Sequence, residues 1–265
     1  MMFTKGTIVA QRVVSDQYHL LTIEQPDIAK QARPGQFIML KAWERIDLLL
    51  PRPFSLYRIL PERGQLQILY QVRGQGTAEI ARRVPGEKVE LTGPAGNGIV
   101  LPEEGAIALL GRGIGAAPLM AIAETAAARK GLAVYTFLSA RKTELLLGRE
   151  DFALYASRVT LATDDGHHNE GRLLTALLAE MIAREGIAIR SVYTCGSRRL
   201  ARGLLPMQAR YGFTAYIFLE ETMACGIGSC KGCVCKVREP GSPAGFVYKK
   251  VCQDGPVFPV DKVVW

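Results

Sequence analysis

The 265-residue chain carries 33 Lys and Arg against 25 Asp and Glu, a formal charge of +8, and is 48% hydrophobic with six cysteines. That length and apolar content support one large or two modest domains with sizeable cores, and exclude a small scaffold held together by disulfides. The cations are scattered, as at Arg82, Arg83, Arg198, Arg199 and Arg202, so solvated faces and anionic cofactor phosphates explain the excess better than nucleic acid does. The first residues lack the apolar run of a signal peptide, the cysteines are too sparse for a secreted framework, and no segment approaches the ~18 apolar residues of a membrane span. A reducing, cytoplasmic location with no membrane contact is expected.

From residue 6 to 94 the chain reads as short strands broken by Gly and Pro, at 6–14, 18–24, 35–43, 53–59, 66–72 and 87–93. Turn signals at Pro34-Gly35, at Pro61 to Gly64 and at Pro85-Gly86 separate them, a pattern that predicts a small antiparallel barrel. Within it stands RPFS (52–55). An arginine beside a proline-fixed backbone can grip a phosphate, and the same pair can also simply open a strand. Further on, LYQVRGQGT (69–77) leads into the short helical stretch TAEIARRV (77–84), whose first amides could hold a second phosphate.

After Pro102 the pattern changes. GAIALLG (105–111) is a buried-type strand, followed by an alanine-rich helix over about 117–129 and the strand LAVYTFL (132–138). Strands at 159–162, 191–195 and 215–219 alternate with helices at 172–184 and 197–211, which predicts a parallel, doubly wound sheet. GRGIGAAPL (111–119) sits where the first strand hands over to its helix. Gly111, Gly113 and Gly115 leave room for a pyrophosphate beside the backbone and helix start, although the motif departs from G-x-G-x-x-G and a tight strand-helix turn would use the same residues. Arg141 and Lys142 could accept a 2'-phosphate or could be an exposed approach to a helix. His167 and His168, after Asp164-Asp165-Gly166, suit a solvated turn better than a metal site. Cys195, at a strand end before Gly196, is open to three readings: a nucleophile, a nicotinamide contact or a plain buried thiol.

From residue 220 onward the alternation fails. MACGIGSCKGCVCK (223–236) places Cys225, Cys230 and Cys233 as C-x4-C-x2-C, with Cys252 19 positions later. This is the plant-type spacing for four thiolates on a [2Fe-2S] cluster, and Gly226, Gly228 and Gly232 let the loop turn its amides toward the sulfurs. A four-thiolate zinc site and a set of buried free thiols are the competing readings. Cys235 is the rival to Cys252 for the fourth position. The expected organisation is therefore a multidomain α+β chain: a barrel over 1–101, an α/β domain over 102–219 and a cysteine segment over 220–265.

The order of these pieces resembles the ferredoxin-NADP reductase superfamily, in which a barrel with R-P-F-S binds flavin and a domain with G-x-G-I-G-x-x-P-L and C-G binds the nicotinamide nucleotide. The cysteine pattern continuing to VCQDGPVF (251–258) is similar to the electron-transfer subunits of two-subunit, NAD-linked (class 1B) dihydroorotate dehydrogenases. The resemblance covers essentially the whole chain. It implies that Arg52, Pro53, Phe54 and Ser55 contact FAD, that Leu69, Tyr70 and Gln71 line the flavin, and that Gly76 and Thr77 hold its pyrophosphate. It further implies a nicotinamide nucleotide site at Gly111, Gly113, Gly115, Cys195 and Gly196, and a cluster on Cys225, Cys230, Cys233 and Cys252. Arg112 stands where the superfamily has a small residue, and Ser197 where it commonly has proline.

By the same resemblance, electrons pass from NADH through FAD and the cluster to an FMN-containing catalytic subunit in a heterotetramer, which oxidises dihydroorotate in pyrimidine biosynthesis. Such a relay requires no general acid, base or nucleophile, and the sequence shows no triad or carboxylate pair. Two alternatives stand beside this reading. One is an NAD(P)H-dependent reductase subunit serving another acceptor, of ferredoxin or hydrogenase type; the other is a non-redox binding protein with structural zinc.

Overall fold

A computed structural model describes all 265 residues. They divide into two compact units, Met1–Ile99 with Glu220–Pro256, and Val100–Leu219 with Val257–Trp265.

The first unit is built on a curled antiparallel sheet. Its strands are β1 (Met2–Ser15), β2 (Tyr18–Glu24), β3 (Phe37–Lys41), β4 (Arg52–Ser55), β5 (Arg58–Leu60), β6 (Gln65–Gln71) and β7 (Lys88–Ala95), with α1 (Pro26–Gln31) before β3 and α2 (Gln75–Ala81) before β7. In space they run β4-β3-β7-β1-β2-β6-β5. The side chains of β7 alternate between exposed and buried, as a sheet with one wet face requires. Register shifts between Ile8 and Ala10 and between Val13 and Ser15 of β1 increase the local twist and curl the sheet around its apolar face. Leu21, Ile23, Ile38, Leu40 and Leu66 are completely buried there. Each such side chain stabilises the unit by about 1.5–3 kcal/mol relative to exposure.

The second unit holds β8 (Gly105–Arg112), α3 (Ala117–Ala127), β9 (Leu132–Ala140), α4 (Arg149–Ala153), β10 (Arg158–Thr163), α5 (Leu174–Glu185), β11 (Ile189–Cys195), α6 (Arg198–Tyr211) and β12 (Thr214–Phe218). Its sheet order is β10-β9-β8-β11-β12, all parallel. Residues 106–111 of β8 are buried without alternation because helices cover both faces. The helix α6 starts at Ser197, whose hydroxyl accepts the Leu200 N–H at 3.2 Å, and stops at Gly212 in the left-handed region.

The stretch 220–265, read from the sequence as one segment, is shared between the units. Glu220–Pro256 belongs to the first and contains the hairpin β13 (Val234–Arg238) and β14 (Phe246–Lys250), then the single turn α7 (Val251–Asp254). Asn97 ties it down by donating its backbone N–H to Gly255 O at 2.8 Å and its amide to Asp254 O at 3.1 Å. Val257–Trp265 belongs to the second unit, where β15 (Val257–Pro259) pairs antiparallel with the otherwise open edge of β12. No helix is long and apolar enough to cross a membrane.

Candidate cofactor sites

Near the rim of the curled sheet, β4 and the start of α2 come together. The Arg52 guanidinium lies over the Trp43 ring, 5.5 Å from its centroid. Gly76 packs so closely on this pair that a Cβ there would stand 3.0 Å from Arg52 Nε and 3.1 Å from the Trp43 ring. Gly74, the residue before α2, faces open space. A fixed cation beside bare backbone is suited to a phosphate group. The Thr77 hydroxyl is spent on the turn itself, accepting the N–H groups of Arg73 at 2.9 Å and Gly74 at 3.1 Å. Pro53, Phe54 and Ser55 are half-buried along β4. Leu69 and Tyr70 are buried, with Tyr70 stacked on His19 at 5.5 Å and met edge-on by Phe54 at 5.7 Å. Gln71 is held by Arg73 Nε at 2.7 Å. Trp43 and Arg73 escape a reading by motif because their relevance comes only from contact with Arg52 and Gln71.

The cysteine loop lies in the same unit. Gly226, at φ +67, packs on the Met39 side chain of β3, and Gly228, at φ +85, packs on Gln253; neither leaves room for a Cβ. The loop presents its backbone donors to sulfur: Cys225 Sγ accepts from Ile227 N at 3.5 Å and Cys230 N at 3.4 Å, Cys230 Sγ from Gly232 N at 3.4 Å, and Cys233 Sγ from Cys252 N at 3.4 Å. Burial alone would raise the Cys225 thiol, but these N–H groups outweigh it and bring it down to about 7. Cys252 is pushed up to about 12 by burial and then by the Cys233 sulfur beside it.

Backbone hydrogen bonds join Cys230 to the Cys225 sulfur and Cys252 to the Cys233 sulfur, and Cys225 also lies near enough to Cys252 to raise its thiol. The C-x4-C-x2-C spacing with a distal fourth thiol is that of a two-iron cluster, and N–H groups aimed at the sulfurs are the surroundings such a cluster's thiolates take. Cys235 lies on β13, and burial, then Glu221, Asp254 and Cys233, push its thiol up to about 11.

In the second unit the glycine turn after β8 and the end of β11 meet backbone to backbone. A Cβ on Gly115 would lie 2.5 Å from the Cys195 carbonyl and from Gly196 Cα, and one on Gly111 would lie 2.9 Å from Ala116 Cα. Gly196, at φ +87, sits against the Arg112 carbonyl. Gly113 differs: at φ +54 it has no atom within 4 Å of its Cβ direction. Cys195 is buried.

Beside this turn opens a cavity of about 700 Å³, lined by Arg112, Thr163, Asp164, Arg172, Ser197 and Arg199 among others. Its position at the carboxyl ends of parallel strands and its size suit a nucleotide. Arg112 grips Asp164 through two hydrogen bonds, at 2.6 and 3.2 Å, and holds that carboxyl below its usual range. Thus the arginine that departs from the glycine motif is the partner of an acid 52 positions away, and the serine that replaces proline caps α6. Asp164 was hidden inside what reads as a solvated turn; its place after a parallel strand is the signal that could have found it. Arg141 and Lys142 are exposed, and His167 lies in the exposed turn.

Comparison with known proteins agrees with this layout. Residues 220–264 match the family described as the iron-sulfur cluster binding domain of dihydroorotate dehydrogenase B. A relative from Geobacillus thermodenitrificans, named dihydroorotate dehydrogenase B (NAD(+)), electron transfer subunit, is 36% identical over 262 residues, 97% of each chain. A relative of the same name from Caldanaerobacter subterraneus subsp. tengcongensis is 34% identical over 261 residues, 98% of each chain. Among solved structures, an NADH-dependent reduced ferredoxin-NADP oxidoreductase superposes with a TM-score of 0.83 at 24% identity, covering 98% of this chain and 90% of that one. A ferredoxin NADP+ reductase from Neisseria gonorrhoeae superposes at 0.63 and 18% identity, covering 79% and 92%. At those identities the two structures establish the shared reductase fold. With identity above one third along nearly its whole length, the chain belongs to the family of electron transfer subunits of NAD-linked dihydroorotate dehydrogenase B.

Proposed function

We propose that this chain takes electrons from NADH and passes them, through FAD and a [2Fe-2S] cluster, to a catalytic partner subunit that oxidises dihydroorotate to orotate. The observation that carries this reading is the cysteine loop, where backbone N–H groups turn toward the sulfurs of Cys225, Cys230 and Cys233 on a segment packed against Met39 of the curled sheet. When bound, FAD supplies the conversion of two-electron hydride chemistry to the single-electron steps of an iron-sulfur cluster.

The chain's own residues have positioning tasks. Arg52, fixed by Trp43, neutralises phosphate charge beside Gly74 and Gly76, while Pro53, Phe54 and Ser55 along β4, and Leu69, Tyr70 and Gln71 with Thr77, form the surrounding wall and turn. Gly111, Gly115 and Gly196 bring two strand ends close enough for backbone to approach a nucleotide, with Gly113 open above them and Cys195 packed beneath. The adjoining cavity carries Arg112, Arg172 and Arg199 against the single acid Asp164, which Arg112 already pairs, so its charge suits nucleotide phosphates, and NADH is the donor by family membership. Cys225, Cys230, Cys233 and Cys252 hold the cluster, and the N–H donors around their sulfurs stabilise thiolate charge and tune the potential. The assembly proposed is a heterotetramer whose catalytic subunits carry FMN.

Anaerobic titration with NADH, followed by visible absorption, tests the relay: flavin and iron-sulfur bands should both bleach. Dihydroorotate oxidation should be absent for this chain alone and appear when the catalytic subunit is added. Colourless protein containing zinc and no iron, or dihydroorotate oxidation by the isolated chain, would overturn the reading.

A further inference from the structure

The hairpin β13–β14 has a face that nothing in the sequence motifs or the cofactor sites uses. Alternation along each strand and the pairs Val234 with Lys250, Lys236 with Tyr248, and Arg238 with Phe246 put these six side chains on one side of the two-stranded sheet. Val234, Lys236, Arg238 and Tyr248 are exposed, the tyrosine by 63%. Lys236 Nζ stands 4.6 Å from the Phe246 ring centroid and 6.0 Å from that of Tyr248, and the two rings meet edge to face at 5.6 Å. The face carries three cations and no acid, and none of the three is in an ion pair.

This face is joined directly to the thiols. β13 begins one residue after Cys233 and β14 ends two residues before Cys252, and Val251 N donates to Cys233 O at 2.8 Å where the strands converge. At ~3.4 Å per residue the whole ladder extends only about 14 Å beyond its first pair. Whatever seats on it is therefore held near the thiol loop. The Phe246 and Tyr248 rings, with the Lys236 ammonium held over them, supply contact area at low entropic cost, and cations with no acid of this chain in ion-pair reach are complementary to an anionic patch.

We propose that this Lys/Arg/Tyr face of the β13–β14 hairpin is the docking surface for an acidic patch on the catalytic subunit. The inference rests on the function proposed above, and it adds the face, its chemistry and the charge of its partner.

The test uses the holoprotein and the purified catalytic subunit, with association followed by stopped-flow or biosensor at low and high ionic strength. Wild-type association should slow as salt rises. The double variant Lys236→Glu/Arg238→Glu should associate at least about tenfold more slowly at low salt and lose or invert the salt dependence. Tyr248→Ala should shorten the lifetime of the complex about tenfold or more. Both variants should keep wild-type absorption spectra and wild-type bleaching by NADH, which separates docking from folding and cofactor loading. Association of the charge-reversed protein at the wild-type rate would overturn the docking proposal and leave the function standing. A wild-type self-dimer that the same variant dissolves would reassign the face to a second copy of this chain and also overturn it. Failure of the wild-type holoprotein to bind the catalytic subunit at all would overturn the proposed function and the docking together.

Discussion

Two glycines of the turn after β8, two positions apart, are bare for different reasons, and alanine at each should fail differently. At Gly115 the backbone angles are ordinary but the new methyl would stand 2.5 Å from the Cys195 carbonyl and Gly196 Cα. Backbone cannot swing aside as a side chain does, so Gly115→Ala should cost about 3 kcal/mol, a fall in melting temperature of roughly 6–12 °C. At Gly113 nothing lies within 4 Å, and the cost is confined to placing alanine at φ +54, about 1–2 kcal/mol. If the open space above Gly113 is where the nucleotide approaches, Gly113→Ala should weaken NADH binding at least about tenfold, or 1.4 kcal/mol. Calorimetry and NADH titration on both variants provide the check, with dithionite reduction confirming loaded flavin and cluster. A Gly115→Ala protein as stable as wild type would show that the turn does not pack on β11 as described. Undiminished NADH affinity in Gly113→Ala would remove the nucleotide from that turn.

Three further outcomes are expected. Serine at Cys225, Cys230, Cys233 or Cys252 should abolish the iron-sulfur absorption and iron content, whereas Cys235→Ser should retain both; iron analysis after anaerobic reconstitution distinguishes them. Arg52→Ala should weaken FAD binding by about 1.5–3 kcal/mol, the worth of hydrogen bonds to a charged group, and Arg52→Lys should rescue it only in part because a point charge cannot stack on Trp43 as the planar guanidinium does; flavin fluorescence on dilution measures both. Asp164 has its folded pKa held below its unfolded value by Arg112, so the pair stabilises above the ordinary carboxylate pKa, about 3.9, and that contribution is lost as pH falls through the folded value. Both side chains are partly exposed, 35% and 50%, which keeps the effect under about 1 kcal/mol. Asp164→Asn should accordingly lower the urea midpoint slightly at neutral pH and leave it unchanged in strong acid.

Local rules made much of this chain legible. Gly and Pro punctuation separates strands whose side chains alternate, and the switch to β-α alternation after Pro102 follows from periodicities that each strand and helix carries alone. The capping role of Ser197 and the spacing of Cys225, Cys230 and Cys233 are also short-range. By contrast α1, α4 and the β13–β14 hairpin leave no legible pattern, the first two because six and five residues are too few for a helical period to show, the third because apolar residues fall on both faces of each strand, Val234 and Val237 on β13 and Phe246, Val247 and Tyr248 on β14.

The sequence by itself determined the strand and helix periods, the glycines able to take left-handed angles, and the cluster-type spacing of the thiols, because each depends on neighbours within a few residues. Only the tertiary structure decided that Arg112 serves Asp164, that Gly115 is bare for the sake of Cys195 and Gly196, that Arg52 rests on Trp43 and Gly76, and that β15 leaves the cysteine segment to close the edge of β12. Those facts join residues 9 to 81 positions apart through sheet order and register. A strand slipped by one residue would keep every local preference and yet turn each of these side chains to the opposite face, so the contacts belong to the assembled sheet rather than to any stretch of sequence.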